Sequence, residues 1–396
     1  MPRRADTAVS GHVDQDLAYD TDTAVSVILT LRGGYRLRLV ADEAGALRKA
    51  VSVVVPPCVE TTANGAVDWT IRITTGAANG AGGVAVRPAL EWPRAGPQLA
   101  VVDISGTVMM LTGCFRPGAA SISIRVDSGQ RETCLIVPGH DVLSRRWLAW
   151  TARVFFGTRL LRDGWVLLHA SAVRMATSTE ERALVVLAGQ RGGKSTVAHR
   201  ACVERGARLM ADDLVLLRVG RDGVTVVGWP TRVCVPVELL DNAMLDVLPD
   251  GAMLSTVVAG RVRRRMVLSP PEHERLLGIG RAGPTRLGGL LAITASHGGA
   301  PTRAGVLHDD RMREVLLEAL DVPAQRLMML DLLGVAGLPA TQLTAPSGVA
   351  CHVGELVDAL RAVPAAGLEL ADGTELPKFP LWNSLGQWLP LLRGGG

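Results

Sequence analysis

The segment "VVLAGQRGGKSTVAHRACVERGARLMADD", Val185–Asp213, constrains this chain more than any other stretch. An apolar run, "ALVVLA", reads as a buried strand, and three glycines follow it within five positions. The next residues, "STVAHRACVER", place Val197, Ala198, Ala201 and Cys202 on one side of a helix that Gly206 closes. A second short strand, "ARLMA", then ends at two adjacent aspartates. Strand, glycine-rich turn, helix and strand in under thirty residues call for a sheet with helices packed against it.

The turn has its own chemistry. "AGQRGGKST" carries Ala188, four free positions, then Gly193, Lys194 and Ser195, the tolerant form of a phosphate-binding loop. Backbone N–H groups and a helix N-terminus converge there on a point that favours negative charge, and the glycines keep Cβ atoms out of the way. Composition sharpens the point. Of 42 Lys and Arg residues, lysine occupies Lys49, Lys194 and Lys378 alone, so lysine sits in the loop of a chain that uses arginine almost everywhere else. A compact ammonium suits the β- and γ-phosphates better than a planar guanidinium. The expected ligands are ATP and Mg²⁺, held by Ala188, Gly189, Gln190, Arg191, Gly192, Gly193, Lys194, Ser195 and Thr196, with the Ser195 hydroxyl on the metal. The bland alternative is a glycine-rich turn that contains a lysine.

Asp212 and Asp213 lie eighteen and nineteen positions beyond Lys194. A parallel neighbouring strand would bring them to the phosphate edge of the sheet, and adjacent side chains point to opposite faces. One can then serve Mg²⁺ while the other accepts a proton from an attacking hydroxyl; a capped or solvated turn is the plainer account. His169, inside the apolar "WVLLHASAV", reads first as a core histidine. Arg191 and Arg232 are candidates to neutralise a transferred phosphoryl group, and the run "RVRRR" at 261–265 could receive an acidic peptide.

Ahead of this region, a polar tail over 1–23 is expected to be flexible. Residues 24–138 show short runs of strand character, among them "AVSVVVPP", separated by Gly, Pro, Asn and Asp clusters, and predict a mostly antiparallel β-rich domain. A helix capped by Asp141, with Leu143, Trp147, Leu148, Val154 and Phe155 on its apolar side, opens the second domain, 139–396. The cysteines have neither paired nor metal-ligand spacing, and no apolar run reaches membrane-spanning length. The net charge of +4 is spread along the chain, so neither nucleic acid nor membrane is an expected partner, and a cytoplasmic location is expected.

The blocks "LLHASAV", "LAGQRGGKST" and "RLMADDLVLL" together resemble the HPr kinase/phosphorylase family and its shorter relatives that act as serine kinases on peptide precursors, including those of lasso peptides. The resemblance covers about residues 160–235. It implies an α/β phosphate-loop kinase domain of the HPr kinase and phosphoenolpyruvate carboxykinase type behind the β-rich domain. It implies Asp212 as general base, His169 beside it, Lys194 on the phosphates, and Ser195 and Asp213 near Mg²⁺. Ala188 and Thr196 stand where the family has glycine and an acidic residue. The expected activity is phosphorylation of a hydroxyl, serine first, on a peptide or small protein that the β-rich domain recognises, with a homo-oligomer as a further partner state. A small-molecule kinase and a nucleotide-binding scaffold stay open as alternatives.

Overall fold

The computed structural model describes residues 25–31, 34–61, 65–76, 90–91, 98–115, 118–139, 144–177, 180–189, 192–240, 253–258, 261–278, 280–296, 301–320, 349–371, 376 and 379–392. The tail 1–23, Asp141, Leu143, Gln190 and Arg191 lie outside the described residues.

Strands β1 (Val25–Thr30), β2 (Arg36–Ala41), β3 (Val59–Thr61), β4 (Trp69–Thr75), β5 (Leu90–Glu91), β6 (Gln98–Ser105), β7 (Val108–Cys114), β8 (Ile122–Asp127) and β9 (Glu132–Val137) form one sheet in the order β3-β1-β2-β4-β9-β8-β7-β6-β5. It is antiparallel except where β4 pairs parallel with β2 and β9. Parallel neighbours need a crossover connection, and helix α1 (Ala44–Val54) lies in the one between β2 and β4. The run "AVSVVVPP" read as a strand therefore belongs largely to a helix. Buried Ala46, Leu47, Ala50, Val53 and Val54 recur at helical spacing, and that period overrides the β-branched composition.

Helix α2 (Ser144–Arg162) buries Trp147, Leu148, Val154 and Phe155 and gives way to Gly164 at φ 81°. Its apolar side packs into the core of the first sheet, with Leu39, Ile71, Leu111 and Leu135. The helix expected to open the second domain packs against the first sheet in a core cluster that also takes in Leu216 and Val227.

The second sheet contains β10 (Val166–Leu168), β11 (Ala170–Ala176), β12 (Glu181–Ala188), β13 (Arg208–Ala211), β14 (Val215–Gly220) and β15 (Gly223–Gly228). A separate small sheet holds β16 (Val233–Pro236), β17 (Met253–Val258) and β18 (Arg261–Leu268) in the order β16-β18-β17. Strands β19 (Thr285–Ala295), β20 (Arg303–Val306) and β21 (Ala365–Leu370) complete the second sheet, whose order is β10-β14-β15-β19-β12-β11-β13 with β21 on β19 and β20 on β21. Helices α3 (Lys194–Arg205), α4 (Pro270–Leu277), α5 (Asp309–Leu320), α6 (Val349–Leu360) and α7 (Leu381–Leu385) surround it.

Strand β12 shows why this sheet needs two covers. Leu184, Val186 and Ala188 face a core shared with Val197 and Ala201 of α3, whereas Ala183, Val185 and Leu187 face one shared with Val315 of α5 and Leu356 of α6. Parallel strands buried on both faces read as continuous apolar runs, as "ALVVLA" does. The aspartate strand sits differently from the sequence expectation: β13 is not the direct neighbour of β12, because β11 lies between them, antiparallel to both. The start of β11 therefore meets the ends of β12 and β13 at one edge.

Two contacts fasten the layers. The Arg281 guanidinium donates to the carbonyls of Ser52 (2.7 Å), Val53 (3.1 Å) and Val55 at the C-terminal end of α1, and pairs with Glu274 at 3.1 Å. A cation there satisfies carbonyls that a helix end leaves without partners. Helices α3 and α4 are joined by His199 Nδ1 and His273 Nε2, 3.2 Å apart, on side chains almost fully buried. Burial holds both imidazoles neutral, lowering the pKa from 6.5 to about 4 at His199 and to about 3 at His273.

The sign of the resulting pH dependence is fixed. Below pH 6.5 the unfolded chain takes up protons that the folded chain refuses, so stability falls on acidification until the folded values are reached. Between pH 7 and pH 5 we expect denaturant melts to lose about 2 kcal/mol per histidine. His273→Gln should remove about half of that loss. An equal fall in wild type and variant would refute the assignment.

Candidate functional site

The loop after β12 is shaped by glycines that cannot be replaced. The Gly192 N–H donates to the Gly189 carbonyl at 3.1 Å and closes the turn. A Cβ on Gly192 would lie 2.7 Å from the Ala188 methyl, so the alanine standing for the first glycine fills space that Gly192 leaves empty. Gly193 has φ 103°, and a Cβ there would sit 2.4 Å from a Leu376 methyl. Helix α3 begins immediately afterwards with no side-chain cap on its first turn. Its leading N–H groups are left to an outside acceptor, the arrangement in which a helix N-terminus takes an anion.

Lys194 is 6% exposed and bends back over the loop, donating from Nζ to the carbonyls of Ala188 (2.8 Å) and Gly189 (3.1 Å). Burial lowers its pKa, opposed by the carboxylates of Asp213, Asp212 and Glu318 and reinforced by the charge of Arg265. Ser195 reaches Asp212 with its hydroxyl, and Thr196 is buried in the first turn of α3.

The two aspartates part company just past β13. Asp212 turns inward and is 2% exposed. Its Oδ1 accepts from the Ser171 hydroxyl at 2.6 Å and its Oδ2 from the Cys234 N–H at 2.9 Å, while the Thr231 hydroxyl donates to its main-chain carbonyl. Burial raises its pKa, and the Cys234, Ser171 and Ser195 donors work against that rise. Asp213 adopts φ 85°, a left-handed conformation that aspartate tolerates better than most residues. Its side chain remains 58% exposed, with Oδ1 3.0 Å from His169 Nε2.

His169 occupies the break between β10 and β11, and its N–H donates to the Ala319 carbonyl at the end of α5 (2.7 Å). It was expected beside Asp212. The structure pairs it with Asp213 instead, because Asp212 is already held by β11 and β16 on the other side.

Lys194, Ser195, Asp212, Asp213 and His169 thus meet at one sheet edge, fed by the ends of β12 and β13 and the start of β11. Arg232 is exposed beside them, its charge felt at the Cys234 thiol. The structure adds three residues to this set. Ser171 could have been found from its two-residue spacing to His169. Glu318 carried no local signal: a Cβ on Gly189 would lie 2.9 Å from its Oε1, so α5 presses a carboxylate on the loop. Arg265 was hidden inside a charge run.

The arrangement can hold a polyphosphate on the loop amides and Lys194, and can take a proton at the exposed Asp213. Its donors also fit Mg²⁺, which ordinarily takes one or two carboxylates plus substrate phosphates and keeps several waters. Ser195 and Asp212 supply one hydroxyl and one carboxylate. Among the described residues no helix is long and apolar enough to cross a membrane.

No protein-family model and no curated protein matches the chain. Among solved structures, that of the Hpr(Ser) kinase/phosphatase from Coxiella burnetii is similar at 14% identity, covering 39% of this chain and 87% of that one, with a TM-score of 0.20. A likeness that weak carries no argument about chemistry. What the fold shows is a mixed α/β chain with large sheets.

Proposed function

We propose that the chain is an ATP-dependent kinase that transfers the γ-phosphoryl group to a hydroxyl, that of a serine on a peptide or small protein. The observation that carries this reading is the division of labour between adjacent aspartates, one buried against the loop serine and the other exposed beside a histidine.

Loop amides of Gly189 and of Gly192 to Ser195, with the Lys194 ammonium, would hold the phosphates, spreading charge that builds during transfer. Ser195 and Asp212 would hold Mg²⁺, which when bound supplies further charge neutralisation on the phosphate oxygens. Asp213 takes the proton of the acceptor hydroxyl. The new bond joins that oxygen to phosphorus, the bond from phosphorus to the β–γ bridging oxygen breaks, and its electron pair leaves with ADP. His169 donates from Nε2 to Asp213 and holds the carboxylate in place, with its own backbone anchored on Ala319. This reading makes Asp213 the base and gives Asp212 the metal side, the reverse of what the resemblance implied, because an acceptor can reach only the exposed carboxylate.

Incubation with ATP labelled on its γ-phosphate, Mg²⁺ and a library of serine-containing peptides tests the proposal. We expect Mg²⁺-dependent label on peptide. Transfer to metabolites alone would place the acceptor among small molecules, and absence of any Mg²⁺-dependent ATP consumption would remove the kinase reading.

A further inference from the structure

We propose that Thr231 is a positioning residue that keeps the two aspartates apart, by holding the peptide that joins them. This rests on the kinase reading above and adds a residue to it.

The turn between β15 and β16 straddles the end of β13. A Cβ on Gly228 would lie 2.0 Å from the Met210 carbonyl oxygen, so only glycine lets β15 close on that strand end. The Trp229 N–H then donates to the Leu214 carbonyl at 3.0 Å, just past the aspartates, and the Thr231 N–H folds back on the Trp229 carbonyl at 2.8 Å. This turn therefore touches the chain on both sides of Asp212 and Asp213. From it the Thr231 hydroxyl donates to the main-chain carbonyl of Asp212.

That carbonyl belongs to the 212–213 peptide, whose plane is set by ψ of Asp212 and φ of Asp213. The next peptide is held too, since the Ala170 N–H of β11 donates to the Asp213 carbonyl at 3.2 Å. Asp213 is thus fixed from both sides at φ 85°, a left-handed conformation that costs an L residue energy and persists only where its surroundings hold it. In that conformation the Asp213 side chain reaches His169, while Asp212 turns to Ser171 and Cys234.

The turn is itself braced from the first layer. Trp229 is buried in the same core as Trp147 and Phe155 of α2, and the Arg153 guanidinium on that helix donates to the Pro230 carbonyl at 2.8 Å. Among the described residues the buried Arg153 Nε has no hydrogen-bond partner.

Thr231→Val keeps the branched shape and removes the hydroxyl, whereas Thr231→Ser keeps the hydroxyl and loses the methyl. With γ-labelled ATP, Mg²⁺ and the serine-peptide library, the valine variant should transfer label about 10- to 100-fold more slowly than wild type. Its Mg²⁺-ATP affinity by calorimetry should stay within about twofold, because Ser171 and Cys234 still hold the Asp212 carboxylate. The serine variant should recover most of the rate, the opposite order to one set by packing. Arg153→Met should act in the same direction as the valine variant, and it carries the test if that variant does not fold. A wild-type rate in Thr231→Val, or a loss of affinity as large as the loss of rate, would overturn the assignment, as would a serine variant slower than the valine one. If wild type neither binds Mg²⁺-ATP nor transfers label, the kinase reading falls, and a crystal structure of Thr231→Val still decides the positioning. A 212–213 peptide unmoved there overturns it, and one that turns with loss of the Asp213–His169 contact supports it.

Discussion

Replacing Asp213 with asparagine should lower the rate of phosphoryl transfer by about 10³-fold while leaving Mg²⁺-nucleotide affinity within a few-fold of wild type. The change removes one proton acceptor and little else. Asp213 is exposed, its described ion-pair partner is His169, its charge is felt also at Lys194, and asparagine is among the few residues that accept its positive φ. Asp212→Asn should fail differently. With its Oδ1 kept on the Cys234 N–H, its N–H₂ group would face the Ser171 hydroxyl, which must turn round to accept, and the buried charge that the Ser171 and Ser195 hydroxyls now serve is lost. We therefore expect Asp212→Asn to lose Mg²⁺-dependent nucleotide binding as well as turnover, and about 2 kcal/mol of stability. Single-turnover transfer measured beside calorimetry separates the two variants. Full activity in Asp213→Asn, with a folded but inactive Asp212→Asn that still binds nucleotide, would return the base to the buried position.

How much of this could be read beforehand depends on whether the cause is local. The glycine-rich turn and the helix after it were legible because they obey backbone rules that act within a few residues. Gly193 needs its positive φ whatever the rest of the chain does, and α3 and its Gly206 stop follow from side-chain period alone. The order of strands was not legible. Nothing near Leu209 says that β11, not β12, is its neighbour, because pairing is decided between residues far apart in sequence. The resemblance set His169 beside Asp212; with β11 in the middle, Ser171 takes the inner carboxylate and His169 Nε2 lies 3.0 Å from the outer one. Helix α1 misled for another reason, since its valines favour strands locally and only burial on the first sheet makes them helical.

Lys194→Met should abolish measurable kinase turnover, with kcat/KM down by at least about 10³-fold, and shift the melting temperature by only a few degrees. Methionine matches the length of the buried stem and packs in its place, so the loss is of charge and of two hydrogen bonds to the loop carbonyls. Two terms then nearly cancel in the fold. Burial disfavours the ammonium, as its lowered pKa records, and methionine relieves that cost while leaving the Ala188 and Gly189 carbonyls without a donor. Neither term offsets the loss at the phosphates. The same lowered pKa gives a second, independent reading of the residue. The free protein loses the Lys194 proton below the ordinary lysine value of 10.5, so on the kinase reading the alkaline limb of kcat/KM should fall earlier than an exposed lysine would allow. Lys194→Arg stays charged across that range. It should be slower than wild type at neutral pH by about 10- to 100-fold, because the planar fork fits poorly over the loop, yet its alkaline limb should be displaced upward. An alkaline limb that stays in place in Lys194→Arg would mean that another group titrates there and that the buried ammonium does not govern the reaction.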